Sequence, residues 1–201
     1  MRCSSTVDVK IGVLAIQGDV SEHVTAFQKA LSFIGFKDNA NVSPIRSPTE
    51  IQECDALAIP GGESTTISRL IEKFGMRKSL LNFNGGIFAT CAGMVLIASE
   101  VNDNRIQPLG IMDMGVERNA FGRQKESFEA DIMFDGIGTP FHAIFIRAPV
   151  ITHVGKGLRV LARIDQRIVA VQSEKHMAFS FHPELGGDLR LHQIFLKNLQ
   201  L

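Results

Sequence analysis

The feature that most constrains the fold is an alternation of short apolar runs rich in β-branched residues with longer segments whose apolar residues recur at helical spacing. Lys10 to Ile16 (KIGVLAI) is a near-continuous apolar run, the pattern of a strand buried on both faces of a parallel sheet, and Gln17-Gly18-Asp19 breaks it. From Val20 to Ile34 the residues Val20, Val24, Phe27, Leu31 and Ile34 fall at spacings of 4, 3, 4 and 3, one helical stripe, with Gly35 placed to end the helix. Val42 to Ile45 reads as an edge strand, and Ser47-Pro48-Thr49-Glu50 as a turn into a brief helix. Ala56 to Ile59 is a third strand, ended by Pro60-Gly61-Gly62, after which Ser64 or Thr65 caps a helix to about Phe74. Gly86 to Ala89 is a fourth strand that runs into Thr90-Cys91-Ala92-Gly93 and the apolar helix Met94 to Ala98. The repeated strand-to-helix alternation predicts an α/β fold, a doubly wound, mostly parallel sheet flanked by helices, with ligands beyond the carboxyl ends of its strands.

The second half changes character. Ile144 to Arg147, Leu158 to Ile164, Ile168 to Gln172 and Met177 to Phe181 are short apolar segments separated by Gly, Pro or charge, and they read as antiparallel strands appended to the sheet. Asp188 to Leu199 closes the chain as an amphipathic helix. At 201 residues the chain fits one domain, residues 10–201, preceded by a disordered tail over residues 1–9.

Lys plus Arg and Asp plus Glu both number 21, so the chain lacks the basic footprint of a phosphate-backbone or anionic-lipid binder. Neither nucleic acid nor membrane is expected as a partner. No apolar stretch approaches the ~20 residues that span a bilayer. Met1 to Asp8 is polar, without the apolar core of a signal peptide, and a cytoplasmic protein is expected. Cys3, Cys54 and Cys91 are too few and too widely spaced for a zinc site or a disulfide scaffold, which leaves one reactive thiol and two bystanders. Trp and Tyr are absent while Phe occurs 14 times, so the aromatic volume comes from rings without a polar tip.

Cys91 sits where a buried strand hands over to a helix, the setting of a nucleophile elbow. Small neighbours (Ala89, Ala92, Gly93) suit the sharp turn, and a helix N-terminus favours negative charge there. By itself such a cysteine is more often a buried structural residue. His182 follows the strand Met177 to Phe181, and Pro183 stiffens the turn, so its ring would emerge at a strand end beside the elbow. A thiol nucleophile needs such a group, as base and then as acid. Glu184, two residues on, can accept the second N–H of the imidazole. Pro60-Gly61-Gly62-Glu63-Ser64 leaves room for backbone N–H groups to face a bound group, as an oxyanion hole, a phosphate cradle or a plain tight turn. It lacks the Lys of a P-loop and the third glycine of a dinucleotide fingerprint, which disfavours the cradle.

The elbow cysteine, PGGES upstream and HPE near the C-terminus resemble the class I, triad-type glutamine amidotransferases, whose domains are flavodoxin-like. Gln17 to His23 (QGDVSEH), Pro60 to Thr66 (PGGESTT), Thr90 to Gly93 (TCAG), Arg118 to Gln124 (RNAFGRQ) with Ser127-Phe128-Glu129, Phe145 to Pro149 (FIRAP) and Ser180 to Leu185 (SFHPEL) narrow the likeness. Together they resemble the glutaminase subunits of pyridoxal 5′-phosphate synthases, over nearly the whole chain. The resemblance implies a Cys91-His182-Glu184 triad with an oxyanion hole from the backbone N–H groups of Gly62 and Ala92. It further implies that Gln17, Gly62, Glu63, Ser64, Arg118, Ile146 and Arg147 hold L-glutamine. A zwitterionic amino acid needs donors for its carboxylate and acceptors for its ammonium, and Arg118 and Glu63 are one of each.

The same resemblance implies hydrolysis of glutamine to glutamate and ammonia through a thioester, without cofactor or metal. It supplies the partner, a synthase subunit that consumes the ammonia in vitamin B6 biosynthesis, and implies that docking, partly through Gly18 to His23, reorganises the peptide around Gly62. Two departures stand out: Ala89 replaces the usual Gly two before the nucleophile, and Gln172 to His176 replaces a short Gly-containing turn. A methyl at Ala89 can crowd the elbow. Rival readings are a glutaminase of another biosynthetic amidotransferase, a non-catalytic scaffold subunit, and a cysteine peptidase. The RNAFGRQ and FIRAP blocks argue against the first, the intact triad against the second and the glutamine-holding residues against the third.

Overall fold

The computed structural model describes residues 9–36, 39–121 and 127–199. Of the tail expected over residues 1–9, residues 1–8, with Cys3, lie outside the described residues, as do Gly122, Arg123 and Gln124 of the RNAFGRQ block, while Val9 is not tail but the buried first residue of a strand. The first half is built from β1 (Val9–Leu14), α1 (Val20–Phe33), β2 (Ala40–Ile45), α2 (Pro48–Gln52), β3 (Ala56–Ile59), α3 (Ser64–Lys73), α4 (Arg77–Leu81), β4 (Gly86–Thr90) and α5 (Ala92–Ile97). The second contains β5 (Ala98–Val101), β6 (Met112–Glu117), β7 (Ser127–Phe134), β8 (Ile137–Ile146), β9 (Val150–Val154), β10 (Arg159–Ile164), β11 (Arg167–Gln172), β12 (Met177–Phe179) and α6 (Arg190–Asn198).

The strands run in the order β2-β1-β3-β4-β12-β11-β10-β7-β8, with β5, β6 and β9 as a side branch. Pairing is parallel from β2 through β1, β3 and β4 to β12, and antiparallel from there to β8. This is the expected mostly parallel sheet with antiparallel strands in the second half. The order reverses between β1 and β3, and a ligand crevice belongs outside the carboxyl ends of the strands at such a switch point. Gln17 follows β1 and Pro60 to Glu63 follow β3, so these two loops flank that crevice.

β12 departs from the expectation that Met177 to Phe181 is antiparallel. It is antiparallel to β11 but parallel to β4, with Phe179 opposite Thr90. All three of its residues are buried, as a strand inserted in the middle of a sheet requires. Parallel pairing brings the carboxyl ends of β4 and β12 to one edge, which carries Cys91 and His182 to the same place.

Alternation along the central strands divides the core in two. Val9, Ile11 and Val13 of β1, Ala56 and Ala58 of β3 and Phe88 of β4 join Phe27 and Leu31 of α1 and Leu191 and Phe195 of α6. Leu14, Leu57, Ile59, Ile87 and Ala89 face the other way, with Ile51, Ile67, Ile71, Leu80 and Leu96 from α2 to α5. Helices therefore cover both faces of the parallel half. The phenylalanines concentrate in the first layer, where Phe27, Phe88, Phe179 and Phe195 pack ring to ring at centroid separations of 4.8–6.0 Å. Rings without a polar tip suit that interior, because they bring in no group that must be hydrogen-bonded.

Candidate active site

β4 ends in a sharp turn at Cys91, whose backbone has φ 47° and ψ −105°, a strained conformation for a residue with a side chain. Neighbouring contacts hold it there: Cys91 N–H donates to Phe179 O at 2.8 Å, locking the elbow to β12. A Cβ on Gly93 would lie 2.0 Å from Ile59 O, so only glycine lets α5 start this close to β3. Cys91 is buried apart from a small opening, with Sγ 3.7 Å from Ile146 O.

His182 lies three residues beyond Phe179, the last of β12, and its backbone N–H donates to Ile144 O at 2.9 Å. Its Nδ1 stands 2.7 Å from Glu184 Oε1, and the Glu184 side chain is entirely enclosed. Burial alone would lower the imidazole pKa, but hydrogen bonding to Cys91 and Glu184 raises it to about 10. Burial pushes Glu184 the other way, toward protonation, and the nearby His23 and the hydrogen bond from His182 more than offset that, holding its carboxyl well below the usual carboxylate range. His182 thus carries a proton between the nucleophile and a buried carboxylate. Asp19 Oδ2 approaches the same Nδ1 to 3.4 Å.

Among the described residues, the atoms of Asp19, His182 and Glu184 lie within 4.8 Å of one another, close enough to hold a metal ion as well. A protonated imidazole shared by carboxylates uses the same atoms, and the raised pKa of His182 matches that use.

The loop after β3 packs over the imidazole. A Cβ on Gly61 would lie 2.3 Å from His182 Cε1, and Gly62, at φ +144°, presses on Gln17. Glu63 N–H donates to Gln17 Oε1 at 2.9 Å. The cap of α3 falls to Glu63, not to Ser64 or Thr65 as expected, because Glu63 is the last extended residue (φ −100°, ψ 105°) and its carboxylate accepts Thr66 N–H at 2.7 Å. Burial would raise its pKa, but hydrogen bonds from Thr65 and Thr66 hold it at about 2. Glu63 Oε1 also receives Arg118 Nη2 at 3.0 Å, and the other arm of that guanidinium pairs with Asp103. Arg147 follows β8 with φ +46°.

These groups line one cavity of about 340 Å³. Gln17, Gly62, Glu63 and Ser64, Arg118, Ile146 and Arg147, and Cys91, Ala92 and His182 all line it. Glu184 lies behind His182. All the site residues expected from the sequence therefore converge. Asp19, Asn119 and Pro149, which also line the cavity, are not marked as site residues by the sequence, nor is Asp103. Asp19 has a signal, its place at the carboxyl end of β1; Asp103 has none. Cys54 is remote, its Sγ donating to Glu50 O at 3.2 Å, and burial raises its pKa.

A family profile described as the SNO glutamine amidotransferase family matches residues 13–201. A protein of Methanoregula boonei called pyridoxal 5′-phosphate synthase subunit PdxT is 60% identical over 95% of this chain and 99% of its own length. Its namesake in Methanosphaerula palustris is 64% identical over 96% of this chain and 98% of its own. A crystal structure described as a glutamine amidotransferase superposes with a TM-score of 0.83 at 42% identity, over 95% of this chain and 99% of that one. The glutaminase domain of a Trypanosoma brucei protein called CTPS, at 13% identity and TM-score 0.58, covers 96% of this chain and 94% of its own and is alike in fold alone.

Proposed function

The chain belongs to the SNO glutamine amidotransferase family, and on that premise we propose how its cavity turns glutamine into glutamate and ammonia. The protein is the glutaminase subunit of a pyridoxal 5′-phosphate synthase. The observation that carries the residue assignments is the meeting, in one cavity, of a strained elbow cysteine with a proton-bearing, carboxylate-backed imidazole.

The Cys91 sulfur attacks the δ-carbonyl carbon of glutamine as the thiolate, its proton held on His182. As the S–C bond forms, the carbonyl electrons move to oxygen, where the backbone N–H groups of Gly62 and Ala92 receive them. The intermediate collapses by breaking the C–N bond, and His182 gives its proton to the departing nitrogen, so ammonia leaves and a thioester remains. Water then attacks the thioester, His182 takes its proton, and cleavage of the C–S bond releases glutamate and restores Cys91. Glu184 orients the imidazole throughout. Arg118 and Arg147 face the substrate carboxylate and Glu63 its ammonium, with Gln17, Ser64 and the Ile146 backbone completing the cradle.

Losing one oxyanion donor typically costs about 2.7–4 kcal/mol of barrier. Control of the Gly62 peptide is therefore enough to silence the chain on its own and to activate it on docking. The synthase subunit, with which this chain forms a hetero-oligomer, takes up the ammonia. We assign the activity to a single domain over residues 10–201 and to the cytoplasm; no helix among the described residues is long and apolar enough to cross a membrane.

The test is glutamate release from glutamine by the chain alone and with its synthase subunit, with Cys91→Ala as control. Release that appears with the partner and vanishes in the variant is the expected result. No release in a verified complex would leave the scaffold reading in its place.

A further inference from the structure

We propose that His23 is a positioning residue for the glutaminase reaction, holding the Glu184 carboxylate beneath His182 and tying it through Thr90 to the Gly61-Gly62 loop. The inference rests on the reading of Cys91, His182 and Glu184 as the catalytic triad. His23 lies in the first turn of α1, and its side chain is fully enclosed. Its Nε2 stands 3.0 Å from Thr90 Oγ1 and 3.4 Å from Glu184 Oε1. Thr90, also fully buried, accepts Gly61 N–H at 3.1 Å. One unbroken polar path thus runs from the triad carboxylate to the loop that carries the oxyanion donor.

A proton on Nε2 fits this surrounding, because it serves both the carboxylate and the hydroxyl. Nδ1 has no hydrogen-bond partner among the described residues, and a bare lone pair there leaves no stranded N–H. The imidazole meets Phe88 edge to face, with ring centroids 6.2 Å apart and planes at 78°, in a layer filled mostly by phenylalanine and aliphatic side chains, with His192 stacked on the same Phe88. An apolar residue would fill that space without burying a polar group, so packing alone does not account for histidine here.

What the histidine adds is control of Glu184. Among the described residues Glu184 Oε2 has no hydrogen-bond partner, so the carboxylate is oriented through Oε1, which faces the two imidazoles. Without His23 that oxygen keeps one donor, and Asp19, already 3.4 Å from His182 Nδ1, competes for the imidazole. The start of α1 is also wedged against the oxyanion loop, since a Cβ on Gly18 would lie 1.8 Å from Gly61 O. Carboxylate, imidazole and loop are therefore packed as one unit, with His23 and Thr90 at its centre.

The experiment is steady-state glutamate release by the assembled glutaminase–synthase complex, comparing wild type with His23→Leu, His23→Gln, Thr90→Val and Thr90→Ser. His23→Leu lowers kcat roughly tenfold to a hundredfold with KM unchanged, the range seen when a group that orients an active-site ligand is removed. His23→Gln, which keeps an N–H donor near the Nε2 position, and Thr90→Ser, which keeps the hydroxyl, recover most of the rate. Thr90→Val, a change of one heavy atom, lowers kcat as His23→Leu does and carries the test if the leucine variant fails to fold. Wild-type kcat in Thr90→Val, a loss confined to KM, or a His23→Gln variant as slow as His23→Leu would overturn the proposal. A wild-type complex that releases no glutamate would sink the triad reading itself, a result separable from all of these.

Discussion

His182 Nδ1 lies 2.7 Å from Glu184 Oε1, while Asp19 Oδ2 approaches the same nitrogen only to 3.4 Å. Two carboxylates thus compete for one proton, and burial decides between them. The Glu184 side chain is fully enclosed whereas that of Asp19 is 40% exposed, so water weakens the Asp19 interaction and leaves the Glu184 one strong.

Glu184→Gln in the assembled complex should therefore lower kcat by about 10²- to 10⁴-fold, the range for losing an acid–base group or its orienting carboxylate. Asp19→Asn should cost no more than about fivefold, as for other exposed ion pairs. Steady-state glutamate release decides it, and the reverse order of losses would make Asp19 the orienting carboxylate.

Arg118 is gripped by Glu63 on one arm and by Asp103 on the other, which fixes its guanidinium plane at the cavity wall. A lysine reproduces the charge but not that two-armed geometry. Arg118→Lys should lower kcat/KM for glutamine by roughly 10- to 100-fold, with most of the loss in KM, since a charge-assisted hydrogen bond is worth about 1.5–3 kcal/mol. A variant with wild-type KM and a depressed kcat would place Arg118 in the chemical step instead.

Two buried histidines should contribute to the acid limb of stability, beside the Glu63 and Glu184 carboxyls, whose lowered pKa values likewise favour the folded state until pH falls through the carboxylate range. Burial lowers the pKa of His176, whose Nδ1 accepts Ile87 N–H at 3.1 Å, from 6.5 to about 4. Burial likewise lowers that of His192, stacked on Phe88 with neither ring nitrogen hydrogen-bonded among the described residues, from 6.5 to about 3. Below pH 6.5 the unfolded chain binds protons that the folded chain refuses, so stability falls as pH drops toward 4. His182 acts in the opposite sense: its pKa is raised to about 10, so its contribution is complete below 6.5 and fades as pH rises to 10. Urea midpoints should peak near neutrality, and His192→Phe should flatten the acid limb. An unchanged acid limb in that variant would show that His192 does not contribute.

Much of this architecture is legible in the sequence because β1, β3 and β4 are buried on both faces and advertise it. Ala56 to Ile59 is read to the residue, since every position is apolar and Pro60 and Gly61 end it. β7 is not read, because its charges at Glu129 and Asp131 alternate with half-buried residues on a strand with one wet face. β12 is found but its direction is not, for three apolar residues carry no information on which neighbour they join. At the site, motif order brings out residues at strand ends. Asp103 and His23 stay hidden as site groups because their roles arise only from partners distant in the chain, Arg118 and Thr90.

Ala89 stands where the family's usual pattern has glycine, and the structure gives its methyl a place. It lies in β4 opposite Ile59 and Ala178, fully buried, within the core layer covered by α2 to α5. The methyl thus contributes to packing two residues before the elbow, whose geometry is held separately by Cys91 N–H on Phe179 O and by Gly93 against Ile59. Ala89→Gly removes a buried methyl, about 0.8 kcal/mol, and adds the entropic cost of glycine in a strand, about 0.5–1 kcal/mol. The sum predicts a destabilisation of about 1–2 kcal/mol, read as a lower urea midpoint, with kcat for glutamine unchanged in the complex. A glycine variant that is markedly faster than wild type would show instead that the methyl crowds the nucleophile.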